Sequence, residues 1–215
     1  MSMMCLYRRV MGAVREMAPA AAAVALALGV AACGGGGGSA NPLSNPATVS
    51  NPATTGGQHL SFAYFQRCIN PILIAQLPAL QGGGATNSCA GAGCHETTTG
   101  AGGALRLVPT AQDVDLSDPA NTPAVIRTSD MYKNFYSAQG AVVVGSPTQS
   151  RLLAKPLLLV LHGGGQILSS ISDPNAARIS YWITHPMPTG QDEFSAAADA
   201  LFTPANRLTG ACNPP

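Results

Sequence analysis

Charge is what this chain has least of. Only 10% of its 215 residues are Asp, Glu, Lys or Arg, and 11 bases nearly cancel 10 acids. So even a balance excludes the broad basic face that nucleic acid requires, and no nucleic-acid partner is expected. Aromatic residues are scarce too, at 5% with a single Trp, so a core must form around a few large side chains. No Gly-x-Ser-x-Gly occurs anywhere. That absence matters because Leu157-Leu158-Leu159-Val160-Leu161-His162-Gly163-Gly164-Gly165 otherwise looks like a strand entering an esterase oxyanion loop. Without a nucleophile elbow, and with a foldable part short for that architecture, the esterase reading is set aside.

The apolar run from Met17 to Ala32 falls short of the roughly 20 residues that a membrane-spanning helix needs. Arg8, Arg9 and Arg15 precede it, so residues 1–32 read as the basic and apolar regions of a secretory signal peptide. The segment closes with Val30-Ala31-Ala32-Cys33, which resembles the bacterial lipobox. That resemblance implies an exported lipoprotein, diacylated on Cys33 and held to the cell envelope through its lipid anchor. Gly34, where an Asp would stand in inner-membrane proteins, resembles the sorting pattern of the outer membrane, with the domain facing periplasm or exterior. An ordinary signal peptide with an incidental cysteine is the competing reading.

Residues 33–58 contain Gly34 to Gly38 and Asn-Pro at Asn41, Asn45 and Asn51, with no apolar period to bury. They read as a flexible tether with an end-to-end distance of roughly 25 to 30 Å. Removal of residues 1–32 takes away three Arg and one Glu, leaving eight bases against nine acids. Residues 59–215 remain to build a core, enough for one domain.

Of six cysteines, Cys5 leaves with the signal and Cys33 takes the lipid, so Cys68, Cys89, Cys94 and Cys212 remain. An even remainder suits an oxidising compartment. The simplest division gives Cys89 and Cys94 to a cofactor and joins Cys68 to Cys212 in a disulfide. Cys89-Ala90-Gly91-Ala92-Gly93-Cys94-His95 places four residues between two thiols and an imidazole directly after the second. Two residues is the common spacing for covalent haem attachment. The chemistry needs two thiols to add across the haem vinyl groups and an imidazole nitrogen to reach the iron. A longer loop serves if its extra residues bulge outward, and glycines permit that. A small Cys89–Cys94 disulfide loop competes with this reading. Zinc would require two further ligands, and no second Cys or His pair stands at zinc-site spacing.

Several segments, in order, resemble the single-haem cytochrome c domains of bacterial envelope lipoproteins, including the planctomycete-type group. Phe62-Ala63-Tyr64-Phe65-Gln66-Arg67-Cys68-Ile69-Asn70-Pro71-Ile72-Leu73 is similar to the helix leading into the attachment motif. Ser150-Arg151-Leu152-Leu153-Ala154-Lys155-Pro156 is similar to the middle segment, and Ile179-Ser180-Tyr181-Trp182-Ile183 to the closing helix. The resemblance implies a mainly α, cytochrome c-like domain with long Gly-rich loops, carrying one covalent haem c on Cys89, Cys94 and His95. The residues agree independently: Asp173-Pro174 is a good helix start, and Ile179, Trp182 and Ile183 form one apolar stripe. Ser146-Pro147 is expected to open a helix through Leu152 and Leu153, and Asp192-Glu193 one over Phe194 to Phe202.

The iron's second axial position decides its redox character. Candidates are His162, Met187, His185, His59 and Met131. In related domains a Met-Pro ligand stands between the middle segment and the closing helix, where this chain has His162; Met187-Pro188, after that helix, is the alternative. Arg106, Arg151, Lys133 and Lys155 are candidate partners for haem propionates. Electron transfer with redox partner proteins of the envelope is the expected function, an electron carrier rather than an enzyme. A cofactor-free structural or binding lipoprotein with a Cys89–Cys94 disulfide is the alternative. A haem peroxidase would require an open sixth position.

Overall fold

The computed structural model describes residues 57–81 and 85–215, all within the unit Ser50–Pro215. The signal peptide, Cys33 and the tether up to residue 56 lie outside the described residues. Helices supply most of the regular structure, and strands occur among the described residues only as two ribbons of two-residue strands.

The leading segment is helical from Phe62 onward: α1 (Phe62–Tyr64), a π turn (Phe65–Ile69) and α2 (Asn70–Ile74) follow one another without a break. Ser61 starts it, its hydroxyl accepting the Tyr64 amide at 3.0 Å. Pro71 explains the wide turn, because it has no N–H to return and its ring crowds the carbonyl one turn back; an extra residue in the preceding turn relieves both. Leu60, Phe62, Tyr64, Phe65 and Ile69 are fully buried. A helix apolar on so many sides belongs at the centre of the core.

Around it pack α3 (Pro123–Ile126), α4 (Asp130–Gln139), α5 (Arg151–Ala154) and α6 (Pro174–Thr184). In α6 the Asp173 carboxylate accepts the Asn175 amide at 2.9 Å, and Ile179, Trp182 and Ile183 are buried. Trp182 lies 5.5 Å from Phe65 between ring centres, and its Nε1–H donates to the Ser61 carbonyl at 3.0 Å. Phe135 of α4 completes the cluster, with its ring edge-on to Phe62 and Phe65. The sequence reading placed no helix over α4, although Ser129 caps it and Met131, Phe135 and Ala138 recur at helical spacing on its buried face.

Two expected helices differ. Ser146-Pro147 opens only a 3-10 turn (Pro147–Gln149), and α5 begins anew at Arg151. The cause is Ser150, whose buried hydroxyl donates to the Val143 and Ser146 carbonyls and accepts the Val143 amide, holding the chain in an extended kink. The Phe194 to Phe202 stretch forms a 3-10 helix (Ala196–Leu201) capped by Ser195. Glu193 opens no helix; it is buried, with Arg127 Nη2 at 2.9 Å and the Tyr132 hydroxyl at 2.9 Å.

The strand pairs close the ends. β1 (Leu77–Pro78) pairs antiparallel with β2 (Thr86–Asn87) just before Cys89, and β3 (Phe202–Thr203) with β4 (Ala211–Cys212) at the C-terminus. Cys212 is bonded to Cys68 of the π turn, with Cα atoms 5.9 Å apart, and the Tyr64 hydroxyl donates to the Asn213 carbonyl. The last strand is thereby fastened to the first helix. No helix of the described residues is long and apolar enough to cross a membrane.

Candidate cofactor site

The Cys89–His95 segment hangs from the end of α2. The Ser88 hydroxyl donates to the Ile74 carbonyl at 3.0 Å, and the Ala90 amide to the Leu73 carbonyl at 3.0 Å. From there the chain coils tightly: Gly91 N–H reaches Ser88 O, Cys94 N–H reaches Gly91 O, and His95 N–H returns to Cys89 O at 2.9 Å. Gly93 has φ +80°, the left-handed region that side chains disfavour. The two residues beyond the common spacing are absorbed in this coil, which brings the His95 backbone onto Cys89. Both Cys89 and Cys94 are free thiols. Burial, and then the neighbouring Cys94 sulfur, push the Cys89 thiol up to about 11.

His95 is held from several directions. Its carbonyl accepts the Leu107 amide at 2.8 Å, and its Nδ1 meets the Leu105 carbonyl at 3.2 Å. A carbonyl only accepts, so the proton sits on Nδ1 and the neutral ring's lone pair on Nε2. Burial lowers the His95 pKa from its ordinary 6.5; the Leu105 carbonyl works against this, and His162 adds to it. The next residue, Glu96, folds the following turn by accepting the Thr98 and Thr99 amides at 2.9 and 2.6 Å. The Thr99 amide, chiefly, holds its carboxyl down at about 2. That turn brings Gly102 against the imidazole. A methyl group there would lie 2.5 Å from His95 Cε1 and Nδ1 and 2.6 Å from the Cys94 carbonyl.

His162 reaches the same place from a different part of the chain. Its Nδ1 meets the Gly165 carbonyl at 2.7 Å, so its proton is placed the same way and its Nε2 likewise carries the lone pair. Gly165, with φ +73°, makes the turn that returns this carbonyl, and Gly164 sits close under the ring. The two imidazoles lie 6.4 Å apart between ring centres, with planes 12° from parallel. This is too far for direct stacking.

Two cavities flank the pair, of about 430 and 480 Å³. Cys89, His95, Gly102, Lys155, His162 and Ile167 line both, and Cys94 lines the second. The first is walled by apolar side chains, among them Ile72, Leu73, Leu152, Leu168 and Ile179. Among the described residues no group of three or more His, Cys, Asp or Glu could hold a bare metal ion. Two thiols and two imidazoles thus border one space, a donor set that would fit haem: the thiols would attach it and the imidazoles would hold its iron.

The other ligand candidates lie elsewhere. Met187 and Met131 are buried in the hydrophobic core, 1% and 0% exposed, and line neither cavity. His185 stacks on Tyr181 at 3.9 Å, and His59 sits 3.5 Å from Glu193. Of the four cations, Arg151 and Lys155 line the first cavity, whereas Lys133 pairs with Asp130 and Arg106 lines neither. The sequence reading missed Gly102 and the carbonyls of Leu105 and Gly165. The only signal for Gly102 is the glycine cluster at 100, 102 and 103, directly after the motif. Compared with protein-family models, with curated proteins and with solved structures, the chain matches none of them.

Proposed function

We propose that this domain is a one-electron carrier that would hold a single haem c, attached through Cys89 and Cys94, with His95 and His162 holding its iron. The observation that carries the reading is the meeting of His95 and His162 beside two free thiols: near-parallel rings 6.4 Å apart between centres, each with Nδ1 fixed on a carbonyl. Such carbonyl contacts fix the tautomer and orient the ring of a ligating histidine. When bound, the haem supplies an iron that cycles between two oxidation states.

The chain's own residues do the rest. The coil from Ser88 to His95 presents both thiols and the imidazole from one short segment. Leu73, Leu152, Leu168 and Ile179 exclude water from one side and keep the surroundings apolar. With both imidazoles committed to the iron, the site would favour a carrier over a peroxidase. No side chain has to act as acid or base. The lipobox-like Cys33 supports a lipid anchor on the cell envelope, with the tether leaving the domain within reach of envelope redox proteins.

The test is spectroscopic. Mature protein from a host with cytochrome c maturation will show a low-spin Soret band that survives acid-acetone extraction. Colourless, correctly processed protein would exclude the proposal and favour the cofactor-free alternative.

A further inference from the structure

Beside the site, three consecutive large aliphatic side chains stand in solvent. Leu159, Val160 and Leu161 are 57, 47 and 91% exposed, and only Leu157 of that run is buried. The run is a turn that ends α5: Leu158 and Leu159 donate their amides to the Lys155 and Ala154 carbonyls at 2.9 Å each. Leu158 takes the left-handed position where glycine is usual, with φ +57°, and among the described residues no other non-glycine has a positive φ. A leucine there costs about 1 kcal/mol relative to glycine. Consecutive exposed aliphatic residues mark an interaction surface.

Charge narrows the partner. From residue 140 through residue 172 the chain has Arg151 and Lys155 and no Asp or Glu; Lys133, before them, is paired with Asp130. An apolar tip on a cationic stretch free of carboxylates matches the boundary of an anionic bilayer. There aliphatic side chains enter between headgroups and acyl chains, and cations meet phosphates.

We propose that residues 158–161 insert into the surface of an anionic lipid bilayer, seating the His162 side of the domain on the membrane that holds its anchor. The proposal rests on the anchored reading of Cys33. Read from its sequence as a coil, the segment 33–58 would reach roughly 25 to 30 Å, which would let an anchored chain bring this loop to the same membrane.

The experiment uses the mature full chain reconstituted into vesicles of phosphatidylglycerol or of phosphatidylcholine, with hydrogen exchange read at the amides of Leu159 to Leu161. Exchange on phosphatidylglycerol will be slower on the order of tenfold than on phosphatidylcholine, and a Leu159→Ser/Leu161→Ser double variant will abolish the difference. Both side chains are exposed, so the variant keeps the fold. Equal exchange on the two lipids, or slowing that persists in the variant, overturns the proposal. The intact mass of the mature chain reports separately whether Cys33 is acylated. If it is not, co-sedimentation of the chain with phosphatidylglycerol vesicles decides the loop's role: binding lost in the double variant supports it, and no binding overturns it.

Discussion

His95 and His162 acquire the same proton placement by different means, one from a carbonyl beyond a threonine turn and the other from a glycine turn of its own. Under the haem reading, exchanging the imidazole of residue 162 for a thioether changes the electronics while the site stays intact. A His162→Met variant will have a higher midpoint potential than wild type in a potentiometric titration, because thioether ligation favours reduced iron. An unchanged potential would remove His162 from the iron. Gly102 makes a steric prediction of its own. Its substitution by Ala drives a methyl into the His95 ring, and displacing a ligand's support typically weakens a metal site by about 10-fold or more. Gly102→Ala will therefore give a raised high-spin fraction in the absorption spectrum, whereas Gly163→Ala, with open space around it, will not.

At the scale of elements, local chemistry and packing divide the control. The Asp173 cap and the stripe of Ile179, Trp182 and Ile183 were legible in sequence because both lie within one helix. The interruption before α5 was not, because Ser150 makes it by bonding carbonyls of the preceding loop. α4 is held by a buried polar link that no pattern announces. Asn134, fully buried, accepts the Val108 amide at 2.6 Å and donates to Asn70 Oδ1 at 2.9 Å and the Val108 carbonyl at 3.0 Å. Asn134→Ala strands those partners in the core and will cost about 1 to 3 kcal/mol in urea unfolding. Asp173→Ala, which loses one helix cap, will cost about 1 kcal/mol.

Over the whole molecule, two long-range ties hold the ends. The Cys68–Cys212 disulfide spans 144 positions, and closing so long a loop lowers unfolded-state entropy by up to about 5 kcal/mol in the chain-entropy picture. Replacing both cysteines with Ala will lower the urea midpoint of the reconstituted protein accordingly. The second tie is Glu193, buried between Arg127, Tyr132 and His59. Burial raises its pKa, but its own backbone amide, Arg127 and Tyr132 together outweigh that and hold it below the ordinary 4.5. A lowered folded-state pKa contributes stability that is complete above pH 4.5 and fades as pH falls through the folded value. Acid unfolding of Glu193→Gln will therefore be less steep below pH 4.5 than that of wild type, in a circular-dichroism titration.

The sequence by itself determined what depends on adjacency. The Cys89 to His95 motif, the capped α6 and the helical run from Phe62 are each written in neighbouring residues, where spacing alone fixes which groups share a turn or a face. The tertiary structure decided what depends on distant chain meeting. It brought His162 rather than Met187 to face His95, put Gly102 against the imidazole, buried Glu193 and left Leu161 in solvent. Those outcomes follow from how the whole chain packs around α1 and α6, and a side chain's burial or partner is a property of that packing rather than of its neighbours in sequence.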